Sequence, residues 1–153
     1  MNNQLIQLNA DYAAAIDDDR LEDWPGFFTE ECLYRVTTRD NHRRGMPAGL
    51  IYADSRGMLA DRVLSLRKAN VYEAQGYRHL VGVPRILEGS AQTALKVCTP
   101  FLVMRIDRQG FTDVFATGQY LDEVVSEGEA MLFKSRDVVC DSSRIDTLLA
   151  IPL

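Results

Sequence analysis

The sequence predicts an α+β domain in which helices come first and a strongly curved antiparallel sheet follows. Three observations predict it. Apolar residues recur at helical spacing before about residue 70. From Tyr77 onward the chain alternates at strand period, in long runs divided by short turns. No repeat, low-complexity tract or composition shift marks a linker, and 153 residues suit one domain around one core, residues 1–153.

The first helix is expected from about Asn3 to Asp17, because Leu5, Leu8, Tyr12, Ala15 and Ile16 share one face. Asp17-Asp18-Asp19 interrupts it, and Asp19 with Glu22 fits a capping box for a short second helix. Leu21, Trp24 and Phe28 would lie on one side of that helix, and Pro25-Gly26 would limit it. Cys32–Thr38 is rich in aromatic and β-branched residues and reads as a strand. The polar stretch Arg39–Gly49 reads as a loop. Asp54-Ser55 opens a third helix with Leu59, Val63 and Leu66 as its apolar face. About four strands follow: Arg78–Glu88, Ala91–Asp107, Phe111–Val124 and Ala130–Asp141. The turns between them each hold a glycine suited to positive φ: Gly89, Gly110 and Gly128. Val97–Ile106 is apolar on both faces, which predicts a central strand covered on both sides. Pro84 and Pro100 fall within strands and mark bulges or edges, because proline offers the ladder no N–H. Such breaks supply the bends of a curved sheet that wraps helices on its concave face.

Composition excludes several classes. A formal charge of −5 argues against a nucleic-acid footprint, which needs clustered Lys and Arg. No apolar run approaches the roughly 20 residues of a membrane span. Met1-Asn2-Asn3-Gln4 has neither the basic nor the apolar region of a signal peptide, so a cytoplasmic location is expected. Cys32, Cys98 and Cys140 are odd in number, widely spaced and without a CxxC, so buried free thiols are expected rather than disulfides or a zinc site.

No catalytic set stands out. The two histidines, His42 and His79, are far apart in sequence. A Rieske cluster needs two Cys and two His, and a mononuclear iron oxygenase needs two His and a carboxylate. No local pattern here supplies either. G-x-S-x-G, Walker and G-x-G-x-x-G patterns are absent as well. His79, at the start of a strand beside Arg78, reads either as a general base at a pocket mouth or as a histidine satisfied by a neighbouring carboxylate. His42 reads as a solvated or interface residue. Asp17-Asp18-Asp19 lacks the alternate spacing of a calcium loop, so it reads as solubilising charge and a helix cap. Trp24, Phe27 and Phe28 read as core, with a ligand cavity as the other reading. Asn41-His42-Arg43-Arg44 is a basic knot in an acidic chain, either solvated or facing an acidic partner. Arg78, Arg85, Arg105 and Arg136 fall in strands, where a long arginine can span the sheet edge to a carboxylate. The tail Asp146–Leu153, ending in Ile-Pro-Leu, is apolar enough to dock into a groove of its own domain or of a neighbour.

The order of several motifs resembles the small subunits of Rieske-type aromatic-ring-hydroxylating dioxygenases. They are Asp17 to Trp24 to Phe28, Tyr34-Arg35-Val36, Asp61-Arg62-Val63, Tyr77-Arg78-His79, Gly118-Gln119-Tyr120-Leu121-Asp122, Arg136-Asp137-Val138-Val139-Cys140-Asp141 and Ile151-Pro152-Leu153. Each is weak alone, and their shared order covers nearly the whole chain. Within the family the sequence looks closest to subunits of enzymes that act on aromatic carboxylates, terephthalate first, with salicylate, anthranilate and benzoate beside it. The resemblance implies a cystatin-like cone shared with nuclear transport factor 2 and ketosteroid isomerase. It implies a partner large (alpha) subunit that carries a Rieske [2Fe-2S] cluster and a mononuclear non-haem iron, in a complex of three large and three small subunits. It also implies a reductase that passes electrons from NAD(P)H. No catalytic, cofactor-binding or metal residue carries over to this chain.

Two further readings stand beside that one. A stand-alone isomerase or dehydratase on the same cone would use Asp17, Tyr34 or His79 as acid or base, and needs a closed cavity where they converge. A plain binding module would have the pocket without the acid–base pair.

Overall fold

The structure, a computed structural model, describes residues 2–45, 51–69, 76–90, 92–142 and 151–153. Helix α1, Asn2–Asp17, buries Leu5, Leu8, Tyr12, Ala15 and Ile16, the face its spacing predicted. A 3-10 helix, Leu21–Phe27, stands where a second α-helix was expected; it buries Leu21 and Trp24, three apart, as a three-residue turn requires. Pro25 sits inside this helix instead of ending it. Helix α2 is one short turn, Arg39–Arg43, capped by Thr38 Oγ1, which accepts the Asn41 N–H at 3.2 Å. It replaces the first part of the expected loop; positions 46–49 of that loop lie outside the described residues. Helix α3, Arg56–Ala69, opens on Ser55, whose Oγ accepts the Met58 N–H at 3.1 Å, and buries Leu59 and Val63.

The capping box does not form. Asp19 adopts φ 59°, and its carboxylate and that of Glu22 both turn to Arg67 on α3, at 2.9 and 2.8 Å. The arginine thereby ties the 3-10 segment to α3. Its hydrogen bonds hold the Glu22 carboxyl down to about 2. A carboxyl depressed by folding stabilises the native state above its unfolded value of about 4.3 and loses that contribution as pH falls toward 2. The parent should therefore melt above Arg67→Gln at neutral pH, and the gap in Tm should close between about pH 4.5 and pH 2. Melting curves at low salt check this; a gap independent of pH would count against it.

The strands are β1 Phe28–Thr38, β2 Ile51–Ala53, β3 Gly76–Val81, β4 Arg85–Gly89, β5 Leu95–Ile106, β6 Thr112–Glu127 and β7 Ala130–Cys140. They form one sheet in the order β2-β1-β7-β6-β5-β3, with β4 also on β5. β1 starts four residues earlier than expected. The single expected strand Arg78–Glu88 divides into β3 and β4 around Pro84. Pro100 lies opposite that gap, after Val81 pairs with Phe101 and before Arg85 pairs with Cys98, so its missing N–H costs no ladder bond. Ala91, expected to begin the next strand, lies outside the described residues. Gly89, Gly110 and Gly128 all take positive φ, as their turns predicted. At Gly89 a Cβ would stand 1.8 Å from the Ala94 carbonyl oxygen, so no other residue fits.

All pairings are antiparallel except β1 with β7, which run parallel with Val36 opposite Val138. Register shifts at Val103/Met104 and Glu123/Val124 put bulges in the long strands. Bulges of this kind bend a sheet locally. Helices α1 and α3 and the 3-10 helix pack on the inner face, and the core lies between: Tyr12, Trp24, Phe28, Tyr34, Leu59, Tyr120 and Phe133. Where β6 pairs with β7 at Gly118 opposite Cys140, a Cβ on Gly118 would meet the Val139 carbonyl oxygen at 2.1 Å, so glycine sets that approach. The outer face is covered less than expected. Leu80, Leu102, Met104 and Val114 line up there across β3, β5 and β6, with Leu80 58% and Val114 57% exposed. No helix among the described residues is long and apolar enough to cross a membrane.

Candidate functional site

The inner face carries charge as well as rings. Arg136 points inward from β7 and is fully buried. Its Nε and Nη2 donate to the two carboxylate oxygens of Asp122 on β6, both at 2.8 Å, and Nη2 also donates to Asn9 Oδ1 at 2.6 Å. The guanidinium lies against the rings of Tyr120 (3.8 Å), Phe133 (3.9 Å) and Tyr12 (4.4 Å). Two bonds to one carboxylate and close contact with ring faces suit a planar cation. Burial pushes the Asp122 carboxyl up, against the downward pull of Arg136. Arg136 belongs to the centre of the molecule and not to the sheet edge, because its position alternates in register with Val138 and Cys140 on the inward face.

A second cluster joins α1 to the edge strand β3. The Asp17 carboxylate accepts the His79 backbone N–H at 2.8 Å and lies 2.6 Å from His79 Nδ1. Both side chains are almost wholly shielded, while Arg78 is exposed and stands 3.9 Å from Asp17. An open groove of about 310 Å³ runs beside them between α1 and β3, lined by Ile6, Asn9, Ala13, Arg78 and Leu80 among others. The satisfied-histidine reading of His79 is therefore the one its Nδ1 side shows. Tyr34, the third residue of the acid–base reading, does not join this pair. Its hydroxyl is engaged by Leu153.

The tail docks inside its own domain. Leu153 is fully buried, and its main-chain oxygen accepts the Tyr12 hydroxyl at 2.7 Å and the Tyr34 hydroxyl at 3.1 Å. Its N–H returns a bond to Tyr34 at 3.2 Å, and Trp24 Nε1 donates to Tyr12 at 3.2 Å. Burial holds the phenols of Tyr12, Tyr34 and Tyr120 above their ordinary range, and Tyr12 and Tyr34 donate as neutral hydroxyls. Residues 146–150 of the expected tail lie outside the described residues. The other expected sites are dispersed. His42, Arg43 and Arg44 are exposed on and just after α2, and Asp18 and Asp19 are exposed as well. Arg85 is exposed on β4, and Arg105 sits 3.3 Å from Asp113 and over the Phe115 ring. Trp24 and Phe28 are wholly buried, with Phe27 packed at the rim of the core. All three cysteines are free and buried. Among the described residues, no three His, Cys, Asp or Glu side chains meet as a metal-ligand set.

The geometry defines a class: an α+β cone whose interior is occupied by its own side chains and tail. Residues 12–147 match the family described as ring hydroxylating beta subunit. The chain is 48% identical over 150 residues to the terephthalate 1,2-dioxygenase terminal oxygenase component subunit beta 1 of Comamonas sp, covering 98% of this chain and 97% of that one. It is 35% identical to the anthranilate 1,2-dioxygenase small subunit of Burkholderia cepacia, covering 98% and 92%. The crystal structure of the beta subunit of a proposed aromatic-ring-hydroxylating dioxygenase from Novosphingobium aromaticivorans superimposes with TM-score 0.91 at 39% identity, covering 99% and 96%. The chain belongs to the ring-hydroxylating beta-subunit family, and is the small subunit of an aromatic-ring-hydroxylating dioxygenase. A beta subunit implies an alpha subunit as its partner.

Proposed function

We propose that this chain is the structural, non-catalytic subunit of its oxygenase, folded as one domain over residues 1–153 and working in the cytoplasm. The observation that carries the reading is the use made of the inner face. At its centre Arg136 is bonded to Asp122 and Asn9, and the Tyr12 and Tyr34 hydroxyls are spent on Leu153. Tyr34 is thereby withheld from Asp17 and His79, so the acid–base trio of a stand-alone enzyme does not assemble. A Rieske cluster and a mononuclear iron do not fit the described residues, which offer no ligand set. They belong, in this reading, to the large subunit, with a reductase feeding electrons from NAD(P)H.

The outer sheet face supports the partner side of the proposal. Leu80, Leu102, Met104 and Val114 are apolar and half-covered, and a rigid sheet face suits a stable interface. The named relatives act on terephthalate and anthranilate, which supports an aromatic carboxylate as the substrate of the assembled enzyme. We assign the assembly three large and three small subunits.

Co-expression with the large subunit, mass determination and iron analysis test this. Equal numbers of the two chains, all iron on the larger, and turnover only by the complex are expected. Leu80→Asp with Val114→Asp should weaken the complex at least about tenfold, about 1.4 kcal/mol, while leaving this chain folded. Iron bound by the isolated small subunit, or turnover by it, would overturn the reading.

A further inference from the structure

The docking of Leu153 has the form of ligand recognition. One main-chain oxygen collects two phenolic O–H donors, and one main-chain N–H is received by the second of those phenols. Tyr12 is itself oriented by the indole N–H of Trp24. Trp24 stands edge-on to Tyr34, with centroids 5.1 Å apart, and Tyr12 stands edge-on to Phe27 and Phe28. Pro152 is buried and Ile151 packs against the same core. Within the described contacts, Tyr34 spends both its donor and its acceptor capacity on this one residue, and Tyr12 spends its donor there. Buried hydroxyls without partners are costly, and the main-chain N–H and oxygen of Leu153 satisfy both phenols.

We propose that the cone contains a peptide-binding site, built from Tyr12, Trp24 and Tyr34, whose resident ligand is the chain's own Ile151-Pro152-Leu153. The ligand class is a short apolar peptide with a branched aliphatic residue whose main-chain N–H and oxygen both face the two phenols. A charged side chain at that residue is excluded, because the site is dry and lined by rings. The inference goes beyond the structural role, since it makes the segment separable from the fold that holds it. Binding in cis keeps the site filled, because a tethered ligand is present at high effective concentration.

The test uses the whole 153-residue chain, in which Trp24 is the only tryptophan and reports from inside the site. Leu153→Asp should expel the segment, shift the tryptophan emission to longer wavelength and lower Tm by several degrees. Acetyl-Ile-Pro-Leu, added in trans, should restore both signals. Acetyl-Ile-Pro-Asp should bind at least about tenfold more weakly. Tyr12→Phe with Tyr34→Phe in the Leu153→Asp background should abolish the response to the peptide. If Leu153→Asp does not fold, Leu153→Ala, which keeps a small apolar side chain, carries the same titration. A folded variant with the parent's emission and Tm would overturn the proposal. So would an opened site that ignores the leucine peptide or answers both peptides equally.

Discussion

Arg136→Ala is expected to lower the free energy of unfolding by about 3–5 kcal/mol. That is a large part of the roughly 5–15 kcal/mol by which domains are stable. The loss follows from what remains. The Asp122 carboxylate stays in a site from which water is excluded, Asn9 loses its donor, and Tyr12, Tyr120 and Phe133 lose the cation packed between them. The pair itself is a weaker source of stability than its removal implies, because both charges were desolvated to form it. Arg136→Met combined with Asp122→Leu should therefore recover most of the loss, as two apolar side chains of similar length replace two paired charges. Urea unfolding of the single and double variants checks both statements. A double variant no better than Arg136→Ala would mean that the rings and Asn9, not the ion pair, dominate.

Trp24→Ala is expected to cost a similar amount, about 3–5 kcal/mol, by another route. The indole is wholly buried and meets Phe28 and Tyr34 edge-on, with centroids 5.9 and 5.1 Å away. Removing it leaves a cavity and strips a donor from Tyr12. Trp24→Phe should keep most of the packing and lose about 1 kcal/mol with the N–H bond. Arg136 and Trp24 both touch Tyr12, so their effects should not add in the double variant. Chemical denaturation of the four proteins measures the coupling.

Much of this architecture could be read from the sequence because local rules dominate it. The helical stripe of Leu5, Leu8, Tyr12 and Ile16, and the glycine turns at Gly89, Gly110 and Gly128, depend on near neighbours alone. What escaped depends on distance along the chain. Nothing near Cys32–Thr38 announces a parallel partner a hundred residues on, and three-residue β2 is too short to show a period. Asp17 and His79 are 62 positions apart, so their pairing had no local sign. Asp19 and Glu22 satisfied a capping pattern, yet Arg67, three helical turns into α3, competed successfully for both carboxylates. For the polar centre a signal was present. Asp122 lies on the alternating inward face with Tyr120 and Val124, and Arg136 on that of Val138 and Cys140; charges at such positions are compatible with burial only if they meet. Two of the motifs that carried the family resemblance meet here: Tyr120 and Asp122 of one contact Arg136 of the other.

The parallel pairing of β1 with β7 has a consequence for synthesis. Arg35 and Asp137, bonded across that junction, are 102 positions apart, and β7 is inserted between β1 and β6. While the ribosome is still making the second half, β1 presents an open edge that only β7 can close. High contact order makes closure slow, and open edges are the places where chains pair wrongly. The nascent subunit thus spends its most vulnerable interval with its central seam unzipped. Its yield in a cell should depend on how quickly that seam shuts as much as on how stable it is once shut.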